Sequence, residues 1–551
     1  MRVTNKMIMN NASSNINSTK ETVNKRNTQM TSQKRIDKPS DDPVIAVRSL
    51  RLSTTLSQVT QYYSKNIPDA NQWLDVTETA LINMRDIVKD CRELAVTGSN
   101  DPNNQDDRKT ILTQLEALQS QLYAEGNADY AKRTVFTGYR TNSNLTFTEN
   151  ESLTKYRIDQ TFVVADTMEE KRFYSGSVEV PTTEDEVVAP KTDPSAISDI
   201  VQTNYYRVRF NYDDIDSINS INIGGFLNET FTENAAGVFD DSAGITSGNY
   251  VFKTFANETD WANSGDTTVK GTAADQNVDA IEGLKLVGDY GAVFIKETGE
   301  LILGAKLASE LKSSNASITV QYDKTGFDKG ELRPEYYYNC TKLKDEVGAP
   351  LTDDGDFSRY EYKKFNDDGS TIHFDIEYTI AASQTIAINT EASDVFDSSL
   401  QRDLGEMINA IQKTIAAYDK VDTIKDMKGQ TQYASDEDQE WLDKWQDAAQ
   451  KEFDFYSNNM QKLFNTELGK IDSYYAKISL AITDLGCKVD SLKLTETRVG
   501  DQRETVQDLQ SKNDDIDLSQ IIIDYTAAYT AYQSSLTAAG KLSESTLLNY
   551  I

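Results

Sequence analysis

The chain has one histidine, His373, and three cysteines, Cys91, Cys340 and Cys487, in 551 residues. A single histidine excludes a His-pair metal site and a His-x-x-x-His zinc helix, and three well-separated cysteines cannot form a disulfide framework. No apolar run approaches the ~18 residues that a membrane span needs. Mean hydropathy is −0.57. Basic residues number 56 against 88 acidic ones, a formal charge of −32. A chain this acidic repels phosphate backbones and anionic lipid, so neither a nucleic acid nor a membrane is an expected partner. The first thirty residues lack the apolar block and small-residue cleavage site of a secretory signal.

Helix breakers are missing from particular places. No proline follows Pro350, no glycine precedes Gly98, and 18 of the 27 glycines fall between residues 151 and 397. The ends are therefore expected to be helical and the middle strand-and-turn. Leu52, Leu56, Val59 and Tyr63 recur at helical spacing, and Ala70, Leu74, Leu81, Met84, Val88 and Cys91 resume it after a kink expected at Pro68. Ile111, Leu115, Leu118 and Leu122 mark a second helix beyond a turn at 98–104. Leu404, Ile408, Ile411, Ile415 and Tyr418 mark a third, which a charged stretch, Asp422 to Asp438, is expected to separate from the next. A long seam follows: Phe453, Tyr456, Met460, Ile471, Tyr474, Ile478, Ile482, Leu485, Val489 and Leu492. Ala292–Ile295 and Leu301–Leu303 read as a hairpin across Glu297-Thr298-Gly299; residues 205–212 and 371–389 read as further strands. The expected fold is α+β and multidomain. A helical, coiled-coil rod is made by both ends (41–148 and 398–515), and a β-rich domain or two (149–397) is inserted between them.

Two terminal arms complete the scheme. Of the 23 residues from Asn10 to Ser32, 14 are Asn, Ser or Thr, all weak helix formers. Met9, Ile16, Val23 and Met30 are nonetheless spaced by seven, one coiled-coil position repeated four times. Four such side chains do not offset the entropy of ordering the arm, so residues 1–40 are expected to be disordered until a partner covers them. The C-terminal segment 516–551 offers a partner. Asp517 suits an N-cap, and Leu518, Ile522, Tyr525, Tyr529, Tyr532, Leu536 and Ala539 form a stripe widened by Ile521, Ala528 and Ala531. Residues 1–60 carry a net charge of +6 and residues 513–551 one of −4, so the arms attract each other within or between molecules. Between arm and rod lies Pro39-Ser40-Asp41-Asp42-Pro43. Asp42 is disposed to the extended conformation of an N-cap by the proline after it, Pro43 fits the first helical position, and Asp41 adds charge at the helix's positive end.

These residues carry a resemblance. Ser32-Gln33-Lys34-Arg35-Ile36, followed by the Ser40-Asp41-Asp42-Pro43 junction and a long helix, resembles the N-terminal segment of flagellin-like proteins. It is most similar to the branch of that family that joins hook to filament, since flagellins proper usually carry alanine and glycine where this chain has Pro43 and Val44. Val135-Phe136-Thr137-Gly138-Tyr139 resembles the family's step into its variable domain. Ala531-Tyr532-Gln533-Ser534-Ser535-Leu536 and the ending Leu547-Leu548-Asn549-Tyr550-Ile551 resemble the junction branch's C-terminus. The resemblance implies a structural, extracellular flagellar subunit, exported through the flagellar type III apparatus without a cleaved signal. It implies self-assembly into a ring of about eleven copies. The implied neighbours are another hook-associated protein and flagellin, and the implied export partner is a chaperone on the C-terminal helix. Pro68 and an apparent insertion at 422–451 depart from the family pattern.

Chemistry is scarce. There is no Gly-rich phosphate loop, and Asp353-Asp354 and Asp367-Asp368 beside glycines read as turns without the twelve-residue spacing of an EF-hand. His373 reads as an ordinary strand residue, the cysteines as inert packing, and no cofactor is expected. Tyr336-Tyr337-Tyr338 is the one candidate platform for stacking a glycan, although consecutive strand tyrosines alternate faces. A structural protein is the leading expectation, a filament-forming flagellin the nearest alternative, and a surface adhesin on the same core the next.

Overall fold

Seven long helices carry the chain: α1 (Asn5–Ser32), α2 (Pro43–Gln61), α3 (Ile67–Ser99), α4 (Gln105–Gly126), α5 (Ser399–Lys428), α6 (Asp436–Asp514) and α7 (Leu518–Glu544). The computed structural model describes residues 5–100, 104–176, 178–193, 197, 200–224, 229–233, 239–241, 251–274, 283–351, 361–366 and 368–544. None of the described helices is long and apolar enough to cross a membrane. By contacts the chain forms two compact units. One comprises 73–376 with 388–486, the other 1–72 with 377–387 and 487–551. Helices α3 and α6 each contribute to both.

The larger unit holds the inserted strands. These are β1 (Glu151–Val163), β2 (Met168–Ser175), β3 (Val201–Arg209), β4 (Ile215–Gly224), β5 (Glu229–Glu233), β6 (Phe239–Asp241), β7 (Val251–Phe255), β8 (Gly291–Ile295), β9 (Glu300–Leu303), β10 (Ser317–Phe327), β11 (Asn339–Lys344) and β12 (Glu361–Tyr362). They form a seven-stranded sheet, β12-β11-β1-β10-β4-β5-β6, and a five-stranded one, β2-β3-β9-β8-β7. The expected hairpin is β8–β9, with Ala292 opposite Leu303 and Ile295 opposite Glu300. Gly299 in its turn has φ +61, and a Cβ there would lie 2.1 Å from the Tyr212 carbonyl oxygen, so only glycine closes it. Around Trp261, the side chains of Phe173, Tyr205, Val293, Ile295 and Ile302 make one core.

In the same unit the apolar seams read from the sequence are buried. Leu74, Leu81, Met84, Val88 and Cys91 on α3, Ile111 and Leu115 on α4, Leu404, Ile411 and Val421 on α5, and Met460, Ile471, Tyr474, Ile478 and Leu485 on α6 all face inward. The break between the two helices lies inside the charged stretch at 422–438: α5 runs on to Lys428, a single 3-10 turn (Thr431–Tyr433) follows, and α6 begins at Asp436. The charges at the end of α5 lie on one face while Val421, Ile424 and Met427 turn inward. They meet Tyr433, Leu442 and Trp445, and Val178 and Val187 from the insert cover the same cluster. The 422–451 segment is thus a hairpin of helices with its own small core. Where α3 passes α6, Gly98 leaves no room: a Cβ would stand 2.5 Å from the Phe464 ring.

The smaller unit contains α1, α2, α7, the start of α3, the end of α6 and a hairpin of β13 (Glu377–Ala381) and β14 (Gln384–Ala387). Read along the chain, 371–389 continues the β-rich middle; by contacts, 377–387 belongs here. Its Thr379 carbonyl accepts from Asn66 Nδ2 at 2.7 Å, Tyr378 bonds Asp69, and Gln384 bonds Arg498, so the hairpin ties α3 to α6. Between α2 and α3, Tyr62–Asn66 form a π-turn in which the Ile67 N–H reaches the Tyr62 carbonyl. Pro68, expected to kink the helix, follows directly. Replacing Gly98 by valine should cost about 1–3 kcal/mol through overpacking against Phe464. A lowered thermal midpoint for the full chain, with unchanged far-ultraviolet ellipticity below the transition, is the expected outcome.

Candidate assembly surface

The smaller unit gathers most of the residues singled out at the two termini. Helix α1 is terminated by Gln33, whose φ of +57 is left-handed. The chain then makes a short antiparallel bridge, Lys34 to Asp515. The Arg35 N–H donates to the Asp514 carbonyl at 2.7 Å and the Ile516 N–H to the Gln33 carbonyl at 3.0 Å. Arg35 thus acts through its backbone. Its own carbonyl accepts from the buried Gln29 amide at 2.6 Å, and Arg26 holds the other end of that amide at 2.9 Å. The bridge turns α1 and α7 into an antiparallel pair. Charge attraction contributes at two points, Lys34 to Asp515 at 2.5 Å and Arg26 to Asp524 at 3.7 Å. Both pairs are exposed, so each stabilises by no more than ~1 kcal/mol.

At the junction, Asp42 has the extended backbone of an N-cap (φ −152, ψ 100), and its carboxylate accepts from the N–H groups of Val44 at 3.0 Å and Ile45 at 3.2 Å. Pro43 fills the first helical position. Asp41 differs from the expectation. Instead of adding to the α2 terminus, it accepts from the N–H groups of Asp37 at 3.2 Å and Lys38 at 3.1 Å, capping the turn before the helix. Those bonds hold its carboxyl below the ordinary aspartate range. Ser40 is exposed in the turn. Beyond the cap, Ser49 donates to Asp514 at 2.8 Å and Asn513 to the Ile45 carbonyl at 3.2 Å, seating α2 on the end of α6.

The four-residue seam of α1 is only partly covered. Ile16, Val23 and Met30 are half-buried; Met9 is exposed, and Ile8 and Ala12 take its place on the covered side. On α7 the long stripe splits in two. Ile521 is fully buried, and Tyr525, Ala528, Tyr532 and Ala539 are half-covered on the same side. Leu518, Ile522, Tyr529 and Leu536 remain 44–48% exposed. With Ile521 and Ala528 beside the line of Leu518, Ile522, Tyr529 and Leu536, the stripe holds two adjacent seams and is wider than one neighbour covers, so covering one edge leaves the other bare. Leu547, Tyr550 and Ile551 lie outside the described residues. A further set escaped the sequence reading: Val44, Val47 and Leu50 of α2, exposed at three-residue spacing opposite the buried Val59. The regular step was legible, but the inward seam through Leu52 and Leu56 drew the reading instead.

The other candidates are built into the fold. Tyr336, Tyr337 and Tyr338 are all buried, with Tyr338 bonded to Ser398 at 2.8 Å, so no tyrosine platform faces outward. Cys91 and Cys340 are buried, and burial pushes the Cys91 thiol up to about 12; Cys487, read as packing, is exposed. His373 stands 3.4 Å from Glu391 and 3.7 Å from Asp394, a trio with the donor types of a metal site. Lys364 already sits on the same Glu391 oxygen and supplies the positive charge there.

Residues 3–141 match the family of the bacterial flagellin N-terminal helical region. Flagellar hook-associated protein 3 of Salmonella typhimurium is 30% identical over 142 residues, which is 26% of this chain and 44% of that protein. The protein of the same name from Escherichia coli K12 is 32% identical over 114 residues, 20% of this chain and 36% of its own. The chain therefore spans less than half the length of these curated relatives. A crystal structure of flagellar hook associated protein-3 from Legionella pneumophila aligns with 84% of this chain and 97% of its own at 12% identity, but with a TM-score of 0.29, too slight a likeness to bear on the fold.

Substituting Asp42 by alanine should remove about 1 kcal/mol of cap stabilisation. Amide exchange at Val44 and Ile45 is expected to speed up while exchange in α6 remains unchanged.

Proposed function

We infer that this chain, similar to flagellar hook-associated protein 3 within the flagellin-like family, is a structural subunit of the bacterial flagellum at the junction of hook and filament. In this reading the terminal helices polymerise into an inner tube, as a ring of about eleven copies, and the 149–397 insert faces outward. A hook-associated neighbour adjoins one side and flagellin the other. Before export through the type III apparatus, a chaperone covers the C-terminal helix and the arms are disordered.

The observation that carries the reading is the bare edge of α7, Leu518-Ile522-Tyr529-Leu536, on a helix whose other edge is already taken by α1. With Met7 and Met9 on α1 and Val44, Val47 and Leu50 on α2, it leaves apolar surface of the terminal unit exposed among the described residues. Support for the junction rather than the filament comes from Pro43 and Val44, where flagellins usually carry alanine and glycine. Both curated relatives bear the name of a hook-associated protein and not of an enzyme.

Changing Leu518, Ile522 and Leu536 together to serine should leave the monomer's helix content within about a tenth of its original value and abolish its incorporation into flagella. Electron microscopy of hooks from cells carrying the variant checks this, and filaments attached normally would count against the reading. Purified wild-type protein should not form long filaments unaided at high salt; if it does, it is a flagellin. Limited proteolysis of the monomer is expected to trim both ends to a core near residues 40–510.

A further inference from the structure

Beside the packing of Tyr174 on Phe455 and Tyr456, the five-stranded sheet meets the helices of the larger unit through an ionic cluster. Arg207 and Arg209 on β3 point at α5 and α6. Arg207 bonds Glu300 of β9, Glu169 of β2 at 3.0 Å and Glu406 of α5 at 2.7 Å. Arg209 bonds Asp403 and Glu406, the latter at 2.6 Å. Lys171 of β2 meets Glu300 at 2.7 Å. Lys470 of α6 meets Glu169, Asp403 at 3.3 Å and Glu467 at 2.9 Å. Tyr474 donates to Asp403 at 2.5 Å. From α3, the neighbouring cation Arg92 is committed to Asp472 on the outer side at 2.5 Å.

The set extends through Lys171 toward Glu258, which Lys285 and Lys413 also face, and its inner part carries an imbalance. That part holds four cations (Lys171, Arg207, Arg209, Lys470) and five carboxyl groups (Glu169, Glu300, Asp403, Glu406, Glu467). The side chains of Arg207, Glu300, Asp403 and Glu467 are almost completely buried. A fully buried carboxylate without a second partner is costly, so the carboxyl of this part with the fewest partners favours the neutral form. Geometry selects which one. Glu169, Glu300, Asp403 and Glu406 each have at least two ionic or hydroxyl partners. Glu467, with no exposed side-chain surface, has Lys470 on Oε1 only, and its Oε2 is buried without a hydrogen-bond partner. Lys470 is itself divided among three carboxyl groups.

We propose that the joint between the inserted sheet and the helical rod holds one proton, on Glu467, and that loss of this proton loosens the joint. The electrostatics agree. Burial and then the nearby Asp403 carboxylate push the Glu467 carboxyl up to about 7, against the pull of Lys470 and Arg209. Burial also raises the carboxyl of Glu406, but Arg207 and Arg209 outweigh it and hold the group well below the ordinary range. Because Glu467 binds its proton more tightly folded than unfolded, its stabilising effect is complete below about pH 4.5 and is lost as pH rises through about 7. Water has access to the cluster, since Lys171, Arg209, Glu300 and Glu406 line a cavity of about 680 Å³ between sheet and α5.

The test is the thermal midpoint of the full-length protein from pH 5 to pH 8.5, for wild type and Glu467→Gln. The wild type should fall with rising pH more steeply than the variant, so that the variant exceeds it by a few degrees at pH 8.5 and not at pH 5. Curves with a constant offset overturn the proposal. Burial pushes Glu331 up to about 6 as well, so Glu331→Gln serves as the control and should keep the excess fall above pH 6.5. If Glu467→Gln fails to fold, infrared spectroscopy of the Glu331→Gln protein decides. A protonated-carboxyl band that disappears with a midpoint near pH 7 supports the proposal. Its absence at pH 6 would mean that a bound cation balances the cluster instead, and the proposal would be wrong.

Discussion

An α-helix of 79 residues has no interior of its own, and α6 exists as a helix because other segments cover its seam. In the smaller unit Leu492, Val499 and Val506 are buried, and Tyr63 lies close enough to Gly500 that an added Cβ would touch its ring. In the larger unit Met460, Ile471 and Ile478 are buried with the α3 and α5 seams. Apart from the hairpin with α5, the partners of α6 come from distant parts of the chain. The N-terminal helices need the C-terminal ones, and the insert sits where the chain passes from one set to the other.

That passage is narrow and tied at its base. Thr137 forms a bridge with Glu391, Gly138 donates its N–H to the Thr390 carbonyl at 3.1 Å, and Ala392 donates to Phe136 at 2.9 Å. Gly138 has φ +62, and a Cβ there would meet the Glu391 side chain at 3.0 Å. The Phe-x-Gly step is thus the point where the outgoing and returning strands are clasped. Such a root lets the intervening 250 or so residues change greatly while the helices they interrupt stay in place. Farther out, a charged cluster joins the apolar contacts of Val178, Val187 and Tyr174 between insert and helices.

The helical seams and the hairpin at 292–303 were legible because their signals are local: period, glycine and proline. The Asp42 cap was legible because proline restricts the residue before it. Three things were not. The 377–387 hairpin has an ordinary strand pattern, and nothing in it says that its partners are Asn66 and Arg498 rather than the sheets nearby. The charges of 422–438 mark the break between α5 and α6 but not its bounds, because Ile424 and Met427 keep α5 in phase as far as Lys428. Arg207 and Arg209 look like alternate residues on a wet strand face; their partners on α5, Asp403 and Glu406, lie about 200 residues away in sequence, beyond the reach of any motif. The assembly surface was half legible: the α7 stripe was visible whole, but its division into a covered and a bare edge depends on where α1 lies.

The π-turn at 62–66 bears on the arithmetic of the seam. Leu52, Leu56, Val59 and Tyr63 step by four, three and four, and the next buried residue is Ile67, where the alternation calls for position 66. From Ile67 the steps return to three and four through Ala70 and Leu74. One extra residue would swing everything downstream by about 100° in a regular helix. Here the wider turn absorbs it, and the seam continues on the same side. Pro68, whose ring nitrogen has no hydrogen to donate, enters the helix directly after this turn, so the surplus residue and the residue without a donor share one irregularity of the helix.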